Sequence, residues 1–271
     1  MLTFVPTPIG NLEDVSFRSV KALKDSEHIF CEDTRVTKKL INLLDENFQS
    51  NITLNKQFYS LHSHNEDEFL TEQYKELFEN NNCIYVSDAG MPCISDPGAK
   101  LVSFCIDNKI EYDVIPGANA LLSAYAMSGF TDKEFIFHGF LPHKTNNRKS
   151  ELTEILNNKF PTILYESPHR IEQLISELIL LDDSRIIFVA KELTKMHQKS
   201  HKAKAKEIQE QMPKLDSRGE WVVIIDKNPS QVQGEAITKE DIESLNIKPK
   251  EKAKLIAKLT GKSVKEVYNN L

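Results

Sequence analysis

The strongest constraint on the fold is an alternation, through the first half of the chain, of short β-branched or aromatic runs with segments of helical periodicity. The runs that predict strands lie in LTFVPT, HIFCED, CIYVSD and YDVIPG, and each ends in turn residues or acids. The segments that predict helices are FRSVKALKDS, TRVTKKLINLL, EDEFLTEQYKELF and AKLVSFCIDN. This alternation predicts an α/β fold with a parallel sheet that helices cover.

The second half of the chain predicts a different arrangement. NALLSAYAMSGF predicts a helix that crosses between domains, and EFIFHGF, TILYES, RIIFVAKEL and GEWVVIID predict four strands with only two good helices among them. A mixed sheet with antiparallel pairs fits this pattern. In the tail, TKEDIESL, KPKEKAKLIAKLTG and SVKEVYNNL predict three short helices, with Thr238 and Ser263 as N-caps.

These patterns predict three parts: an N-terminal α/β domain over residues 1–116, a second α/β domain over 117–233 and a small basic helical domain over 234–271. No linker rich in Gly, Ser or Pro separates the first two parts. We therefore expect them to pack closely and to leave a cleft between them.

The composition excludes several classes of protein. The longest apolar runs, in ILYES and WVVIID, are far shorter than the roughly 20 residues of a membrane-spanning helix, and no charged region precedes an apolar core at the N-terminus. We therefore expect a cytoplasmic protein with no membrane partner. The four cysteines form no CxxC pair, which favours reduced thiols over disulfides or zinc ligands.

Positive charge is concentrated in two segments of a chain whose net charge is −6. Residues 191–218 carry eight Lys or Arg against four Asp or Glu, and residues 244–271 carry seven against two. Such segregation permits an acidic protein to hold a polyanion locally. Taken alone, however, Lys-rich stretches are more often solvated helix faces.

The stretch YVSDAGMPCISDPGAKLV places two Asp residues after a strand. Asp96 and Pro97 predict a helix start, with Asp96 as the N-cap and Pro97 at the first helical position. Asp88 lies at the carboxyl end of the strand, where open α/β sheets bind ligands, and Gly90 beside it lets a ligand approach the backbone. A turn-capping role for Asp88 is equally compatible with these residues.

Three other strand ends also stop in small or polar residues. They are PTPIGNLED, IPGANA and YESPHR, the last of which predicts a helix with Ser167 as N-cap, Pro168 in the first turn and a buried face of Ile171, Leu174, Ile175 and Leu178. Loops that converge from several strand ends predict a site for an extended small molecule.

Several known motifs are incomplete here. TGKS at 260–263 has Ile256 where a phosphate-binding loop needs its first glycine, and no GxGxxG follows a strand, which disfavours a nicotinamide-dependent oxidoreductase. HSHNEDE contains conceivable metal ligands, but consecutive acids are also typical of a helix N-terminus, so we expect no metal site. No GxSxG elbow occurs.

Eight motifs in order, between residues 3 and 226, resemble one family. They are VPTPIGNLEDVSFRSVKAL, CEDTRVTKKLI, YVSDAGMPCISDPGAKLV, VIPGANALLSAYAMSGF, FHGFLPHK, YESPHRI, VAKELTKMHQ and GEWVVII. The chain is similar to ribosomal RNA small subunit methyltransferases I, a branch of the tetrapyrrole methylase superfamily. Its tail resembles a helical appendage that many members carry.

This resemblance implies a two-domain class III methyltransferase fold, a homodimer, and S-adenosylmethionine in the cleft between the domains. It implies 2′-O-methylation of a cytidine ribose in the decoding region of 16S rRNA, within the 30S subunit or in free RNA. It favours a functional role for Asp88 over turn capping. By the same resemblance the cofactor-binding residues are Ile9, Asp88, Gly90, Met91, Ala120, Leu121, Tyr165, Leu193 and Glu220.

A ribose hydroxyl is a poor nucleophile, so a base or a cation near the developing alkoxide should assist it. The candidate bases are Glu32, Asp33 and Glu166, and the candidate groups that steady phosphate or alkoxide are Arg35, Arg170 and Lys195. For any one of them, bracing of a loop is an equally good interpretation, for example an ion pair of Arg35 or Arg170 with a neighbouring Glu.

The resemblance also gives the basic segments a use. We expect residues 195–218 and the lysines between 248 and 265 to hold RNA backbone. Two alternatives stay open: a methylase of a small tetrapyrrole-like substrate, which shares the fold and cofactor, and a non-catalytic ribosome-binding or RNA-binding factor with a vestigial cleft.

Overall fold

A computed structural model describes residues 1–53, 55–215, 218–229 and 237–270 of the chain. The chain forms two compact units, Met1–Asn228 and Pro229–Leu271. The predicted boundary at residues 233 and 234 lies outside the described residues. The predicted division at residues 116 and 117 falls within the first unit and stays a prediction.

The first sheet of the larger unit is entirely parallel, with the strand order β3-β2-β4-β1-β5. This confirms the fold class that the alternation predicts. The strands are β1 (Leu2–Val5), β2 (His28–Cys31), β3 (Gln57–Ser60), β4 (Cys83–Val86) and β5 (Tyr112–Val114). The helices between them are α1 (Phe17–Asp25), α2 (Thr34–Phe48), α3 (Glu72–Asn80) and α4 (Ala99–Asn108).

The parallel sheet buries both of its faces. On one face Phe4, Phe30 and Tyr85 belong to a single apolar cluster, and on the other face Ile29 and Ile84 belong to a second. Because successive strand residues point to opposite faces, strands covered on both sides need a continuous apolar run. β3 lies at the sheet edge and its terminal residues, Gln57 and Ser60, are exposed. Its sequence therefore lacks this signal and the strand was not predicted.

The second sheet of the larger unit is mixed, as predicted, with the order β6-β7-β10-β8-β9. β6 and β7 are parallel, and the remaining neighbours are antiparallel. The strands are β6 (Ile136–Phe140), β7 (Thr162–Glu166), β8 (Ile186–Lys191), β9 (Lys199–Lys204) and β10 (Trp221–Ile225). The helices are α5 (Ala120–Ser128), α6 (Thr145–Leu156), α7 (Ile171–Asp182) and α8 (Ala205–Leu215).

This second half differs from the prediction in two respects. β9, with the sequence KSHKAK, is a fifth strand that the apolar pattern does not reveal, and α6, α7 and α8 are three helices where only two were expected among the strands. β9 is the edge of its sheet, and lysines on an edge strand discourage pairing with another chain. A strand with that role needs few apolar residues.

Antiparallel pairing in the mixed sheet positions the start of β10 for function. Trp221, the first residue of β10, pairs with Glu166 at the end of β7 and with Lys191 at the end of β8. Glu220, which precedes β10, therefore lies at the same end of the sheet as the carboxyl ends of β7 and β8.

Two predicted helix starts are wrong. α4 begins at Ala99 and its N-cap is Gly98, with φ of 116°, so Asp96 does not cap it. α7 begins at Ile171 with Arg170 as N-cap, while the carbonyl oxygen of Ser167 accepts hydrogen bonds from the backbone N–H groups of Arg170 and Ile171. The predicted buried face of α7 is confirmed.

The smaller unit contains α9 (Lys239–Ser244), α10 (Pro249–Thr260) and α11 (Val264–Tyr268), which confirms the three predicted helices. Thr238 and Ser263 are N-caps, as predicted. The buried core consists of Ile242, Ala253, Ile256, Ala257 and Val267. Within the described parts of the chain, no helix has both the length and the apolar content that crossing a membrane requires.

Candidate functional site

A cavity of about 390 Å³ lies between the strand ends of the two sheets of the larger unit. Such a volume falls within the range of small-molecule sites. We call its two sides the parallel-sheet wall, formed by Ile9, 88–91, 94–96, Asn119 and Ala120, and the mixed-sheet wall, formed by Phe140, 165–168, Leu193 and 220–222.

The charge of the lining is one-sided. Four lining residues are acidic, namely Asp88, Asp96, Glu166 and Glu220, and among the described lining residues none is Lys or Arg. A phosphate-rich cofactor would meet carboxylates here without a basic partner in the lining. The cavity suits a ligand that carries positive charge.

The loop after β4 is joined to the loop after β1 by backbone hydrogen bonds. Thr7 and Gly90 exchange both N–H···O bonds, at 3.0 and 3.1 Å, and the Ser87 hydroxyl donates to the Gly90 carbonyl at 2.8 Å. Gly90 has φ of +90°, and a Cβ there would stand 3.1 Å from Cγ2 of Ile9. Glycine is therefore required at position 90 both by conformation and by the close approach of the neighbouring loop.

Asp88 is held by the loop that follows β2. Its backbone N–H donates to Oε1 of Glu32 at 3.1 Å, and its Oδ1 accepts from the Asp33 backbone N–H at 3.2 Å. Burial raises the pKa of Asp88, and the charge of Asp33 adds to this. Burial also raises the pKa of Glu32, although the hydrogen bond from the Asp88 backbone N–H opposes this, and the charge of the Asp88 carboxylate adds to the rise. The two carboxylates are thus positioned together at an electrostatic cost.

Asp33 and Arg35 form a local ion pair at the start of α2. Asp33 is the N-cap of that helix, and its Oδ2 lies 2.6 Å from the Arg35 guanidinium. Hydrogen bonds from Arg35 lower the pKa of Asp33 to about 2. A carboxylate that ionises so readily is a weak base, and this pair corresponds to the bracing interpretation.

Asp96 is the site residue that sequence reasoning assigned to the wrong role. It lines the cavity instead of capping α4. Burial and the charges of Glu32 and Asp88 raise its pKa to about 7. Within the described residues, no hydrogen-bond donor or ion-pair partner reaches its carboxylate. The signal available in the sequence was a second Asp in the same ligand-facing loop as Asp88.

On the mixed-sheet wall, Glu166 is part of a buried ion-pair network. Its Oε2 lies 3.0 Å from Arg148, whose side chain is 1% exposed and also contacts Glu177 at 2.6 Å. Its Oε1 accepts from the Ser167 backbone N–H at 2.8 Å and lies 3.6 Å from Arg170. Both oxygens of Glu166 are therefore engaged.

The loop after β8 is held by a second network. Lys195 Nζ lies 2.9 Å from both Glu192 and Glu220. Although burial opposes it, these hydrogen bonds raise the pKa of Lys195. Glu192 and Thr194 have φ of 50° and 64°, which is unusual for residues with side chains. The ion pairs stabilise a strained loop.

This loop also meets the loop after β1 at Gly10. A Cβ on Gly10 would stand 2.3 Å from Cγ of Lys195 and 3.1 Å from the carbonyl oxygen of Leu193. The glycine in PTPIG thus allows one loop from each sheet to come into contact.

The structure brings together most of the residues expected to bind the cofactor. Those that line the cavity are Ile9, Asp88, Gly90, Met91, Ala120, Tyr165, Leu193 and Glu220. Leu121 does not: it is 6% exposed and packs in the core with Ala124, Phe188 and Val222, because the first turn of α5 points it at the mixed sheet.

Of the expected catalytic residues, only Glu166 lines the cavity. Arg170 is absent from the described lining, and its guanidinium donates to the carbonyl oxygens of Leu141 and Pro142 at 2.9 Å. The others that are absent from the described lining are Glu32, Asp33, Arg35 and Lys195. Across the described ranges, no group of three or more His, Cys, Asp or Glu residues is arranged to hold a metal ion.

A family model and named bacterial relatives match this chain over most of its length. The family described as Tetrapyrrole (Corrin/Porphyrin) Methylases matches residues 1–209. A protein of Campylobacter fetus named ribosomal RNA small subunit methyltransferase I is 48% identical over 271 residues, which is 100% of this chain and 99% of that protein. A protein of the same name from Helicobacter pylori is 40% identical, over 99% of this chain and 96% of its own length.

Solved structures share the fold. The methyltransferase CobJ superposes with a TM-score of 0.59 at 16% identity, over 86% of this chain and 96% of that one. A uroporphyrin-III C-methyl transferase from Thermus thermophilus, complexed with S-adenosyl homocysteine, gives a TM-score of 0.55 at 14% identity, over 82% and 96%.

Proposed function

This chain belongs to the tetrapyrrole methylase family, in its branch of ribosomal RNA small subunit methyltransferases I, and from that premise we propose that it methylates the 2′-oxygen of a cytidine ribose in the decoding region of 16S rRNA. S-adenosylmethionine is the methyl donor. Membership in the branch makes the chain a methyltransferase of small-subunit rRNA. The nucleotide and the 2′-oxygen are the parts that the proposal adds.

The observation that carries the proposal is the acidic lining of a cavity between two sheets. S-adenosylmethionine carries a sulfonium and an ammonium group, so it is favoured where carboxylates lack basic partners. Asp88 and Asp96 are such carboxylates. The cavity also offers backbone at Gly90 and apolar side chains at Ile9 and Tyr165, which suit the uncharged parts of the cofactor.

We assign the residues that hold the cofactor by their place in the cavity. Asp88 and the backbone of Gly90 and Met91 face the charged portion, and Ile9, Ala120, Tyr165 and Leu193 form the apolar walls. Glu220 contributes less than expected, because Lys195 neutralises it. When bound, the cofactor supplies an electrophilic methyl group. The protein must hold the ribose hydroxyl in line with that group and remove its proton.

The expected bases differ in how well they suit this role. Asp33 is held by Arg35 and Glu166 by Arg148, so neither carboxylate is available. Glu32 accepts one hydrogen bond, from the Asp88 N–H, and its raised pKa favours proton uptake. Arg35, whose side chain is 89% exposed, remains the candidate cation for an RNA phosphate near this edge of the sheet.

Basic residues elsewhere supply candidates for contacts with the RNA backbone. In β9, Lys199, Lys202 and Lys204 lie along an exposed sheet edge, and α10 carries lysines at 250, 252, 254 and 258. Phosphate contacts give affinity that falls with salt and carries little sequence information. The homodimer and the assembled 30S subunit as substrate stay predictions.

A charge-reversal experiment tests the α10 contribution. The triple variant Lys252→Glu, Lys254→Glu and Lys258→Glu should bind 16S rRNA more weakly, with a shallower dependence of affinity on salt. The matched control reverses three lysines of α2 and α1, namely Lys38, Lys39 and Lys21. A triple variant of α10 whose affinity and salt slope equal those of wild type would exclude α10 from the RNA interface.

The central experiment is transfer of a tritiated methyl group to 30S particles and, separately, to free 16S rRNA, followed by mapping of the modified nucleotide. The proposal expects one labelled cytidine, and the phosphodiester bond on its 3′ side should resist alkaline cleavage because the methylated 2′-oxygen cannot attack the phosphate. Label on a base, or on a tetrapyrrole instead of RNA, would contradict it. Calorimetry with S-adenosylhomocysteine excludes a non-catalytic RNA-binding factor if the cofactor product binds.

A further inference from the structure

We propose that Asp96 is the catalytic base, whose carboxylate takes the proton of the ribose 2′-hydroxyl. This inference rests on the proposed function and deepens it. Neither the sequence pattern nor the family resemblance selected this residue.

The position of Asp96 is fixed by the turn that follows it. Gly98 has φ of +116°, and a Cβ there would stand 2.8 Å from Sγ of Cys93 and 2.9 Å from Cε1 of Tyr85. The Gly98 N–H donates to Oε1 of the buried Glu66 at 3.0 Å. This turn packs against β4 and carries Asp96 to the parallel-sheet wall, on the same loop as Asp88.

Asp96 is also the acid whose oxygens remain available. The other acids in and behind the cavity each accept a hydrogen bond or ion pair from a described donor: Glu32, Asp33, Asp88, Glu166, Glu192 and Glu220. Within the described residues no donor reaches Asp96. Glu32 and Asp88 each accept one hydrogen bond, whereas both oxygens of Asp96, which lines the cavity, are available to accept a proton.

The electrostatic surroundings suit the same role. The titratable groups that face Asp96 or its turn are acidic or neutral, and they are Glu32, Glu66, Tyr85, Asp88, Cys93 and Tyr165. Burial, Glu32 and Asp88 bring the pKa of Asp96 to about 7. A base with a pKa near the working pH is ionised and still binds a proton firmly.

The O2′–H bond breaks and its proton moves to an oxygen of Asp96, while the electron pair on O2′ forms the new O–CH3 bond. The S–CH3 bond breaks and its electron pair remains on sulfur. Asp96 leaves the step as a carboxylic acid and returns the proton to solvent.

The first test compares Asp96→Asn with wild type in single-turnover methyl transfer at saturating cofactor and RNA. Calorimetry with S-adenosylhomocysteine fixes the saturating concentration for each variant and checks that it is folded. We expect the saturated rate to fall by about 10²–10⁴-fold, and Asp96→Glu to recover part of it. The matched control is Asp107→Asn on the exposed side of α4, which should keep the wild-type rate.

The second test measures protonation directly. In carbon-13 NMR of aspartate-labelled protein without cofactor, the carboxyl signal missing from Asp96→Asn should titrate near pH 7. In single turnovers, the wild-type rate should rise about tenfold per pH unit below the pKa and then level off, and this rise should be absent from Asp96→Asn. The cationic cofactor moves the break below the NMR value.

Three outcomes overturn the inference. One is an Asp96 signal that titrates below about pH 5. Another is an Asp96→Asn variant with a higher cofactor Kd but an unchanged saturated rate, which would make Asp96 a binding residue only. The third is a wild type that methylates neither particle nor RNA, which overturns the proposed function as well. The first two leave the proposed function intact.

Discussion

On the mixed-sheet wall each acid of the cavity has a basic partner: Glu166 is held by Arg148, and Glu220 by Lys195. On the parallel-sheet wall Asp88 receives a backbone N–H from Asp33, and Asp96 receives no donor within the described residues. Burial raises the pKa of both Asp88 and Asp96. Carboxylates thus stabilise the mixed-sheet wall, whereas those of the parallel-sheet wall are held at an electrostatic cost.

The acids of the two walls therefore have different roles. A carboxylate paired with a buried arginine braces its loop and has no oxygen left for chemistry. A carboxylate held without a cation lowers the stability of the free protein and is stabilised when a cationic ligand arrives. Breaking the ion pairs of the acids on the mixed-sheet wall should therefore damage folding, whereas substituting the acids on the parallel-sheet wall should damage binding or turnover while sparing the fold.

The largest expected effect on stability comes from Arg148→Met. Removal of the guanidinium leaves Glu166 and Glu177 without their shared partner. We expect the free energy of unfolding to fall by about 3–5 kcal/mol, because an uncompensated buried charge remains. Urea denaturation measures the loss. Lys149→Met, at the exposed neighbour on α6, should change it by less than about 0.5 kcal/mol.

The next effect is on binding, at Asp88→Asn. The amide keeps an oxygen for the Asp33 N–H but loses the negative charge. We expect S-adenosylmethionine to bind about 10–100-fold more weakly, with a free energy of unfolding that does not fall. Calorimetry and urea denaturation measure the two quantities. If Asp88→Asn lost stability but kept its affinity for S-adenosylmethionine, Asp88 would stabilise its loop and would not bind the cofactor.

A smaller effect, of opposite sign, is expected for the stability of Asp96→Asn. Since the folded state raises the pKa of Asp96 to about 7, it binds this proton more tightly than the unfolded chain does. Wild-type stability therefore falls as pH rises from about 4 to about 7. Asp96→Asn should be more stable than wild type by about 1–2 kcal/mol at pH 8, after allowance for solvent screening, and equal to it at pH 4. If Asp96→Asn were less stable than wild type at pH 8, the claim that the Asp96 carboxylate lacks a compensating partner would be wrong.

The smallest effect is expected at Lys195→Met. Its ion pairs with Glu192 and Glu220 are partly exposed, with 29% of the lysine side chain accessible. We expect the free energy of unfolding to fall by about 0.5–1 kcal/mol at low salt and by less at 1 M salt. If Lys195→Met lowered the free energy of unfolding as much as Arg148→Met does, solvent exposure would not explain the difference in stability expected between the two ion-pair networks of this wall.

The sequence predicts the parts of the molecule where local pattern and environment agree. The apolar runs of β1, β2 and β4 predict strands because those strands are buried on both faces. Asp88 was found because it ends one of them. β9 and Arg148 were missed because KSHKAK and KTNNRKSEL have the composition of solvent-exposed segments. Their roles come from tertiary pairing, as an edge strand and as the centre of a buried network.

Asp96 was misassigned for a related reason. Asp-Pro-Gly before an apolar segment is typical of a helix start, and the local rule accounts for each residue. The helix instead begins at Ala99, after a left-handed Gly98 that lies close to Tyr85 and Cys93 and donates its N–H to Glu66. These contacts are distant in sequence from the turn, apart from Cys93. The local pattern therefore assigns Asp96 a capping role, although in the cavity its charge has no described basic partner.

The absence of a side chain at Gly10 has a consequence for ligand size. The loop after β1 and the loop that contains Lys195 meet there with no space for a methyl group. Because Gly10 has no side chain, the two loops approach each other more closely here than any other residue would allow. A side chain at position 10 would have to push these loops apart, so we expect Gly10→Ala to change the width of the cleft and with it the size of the ligand that fits there.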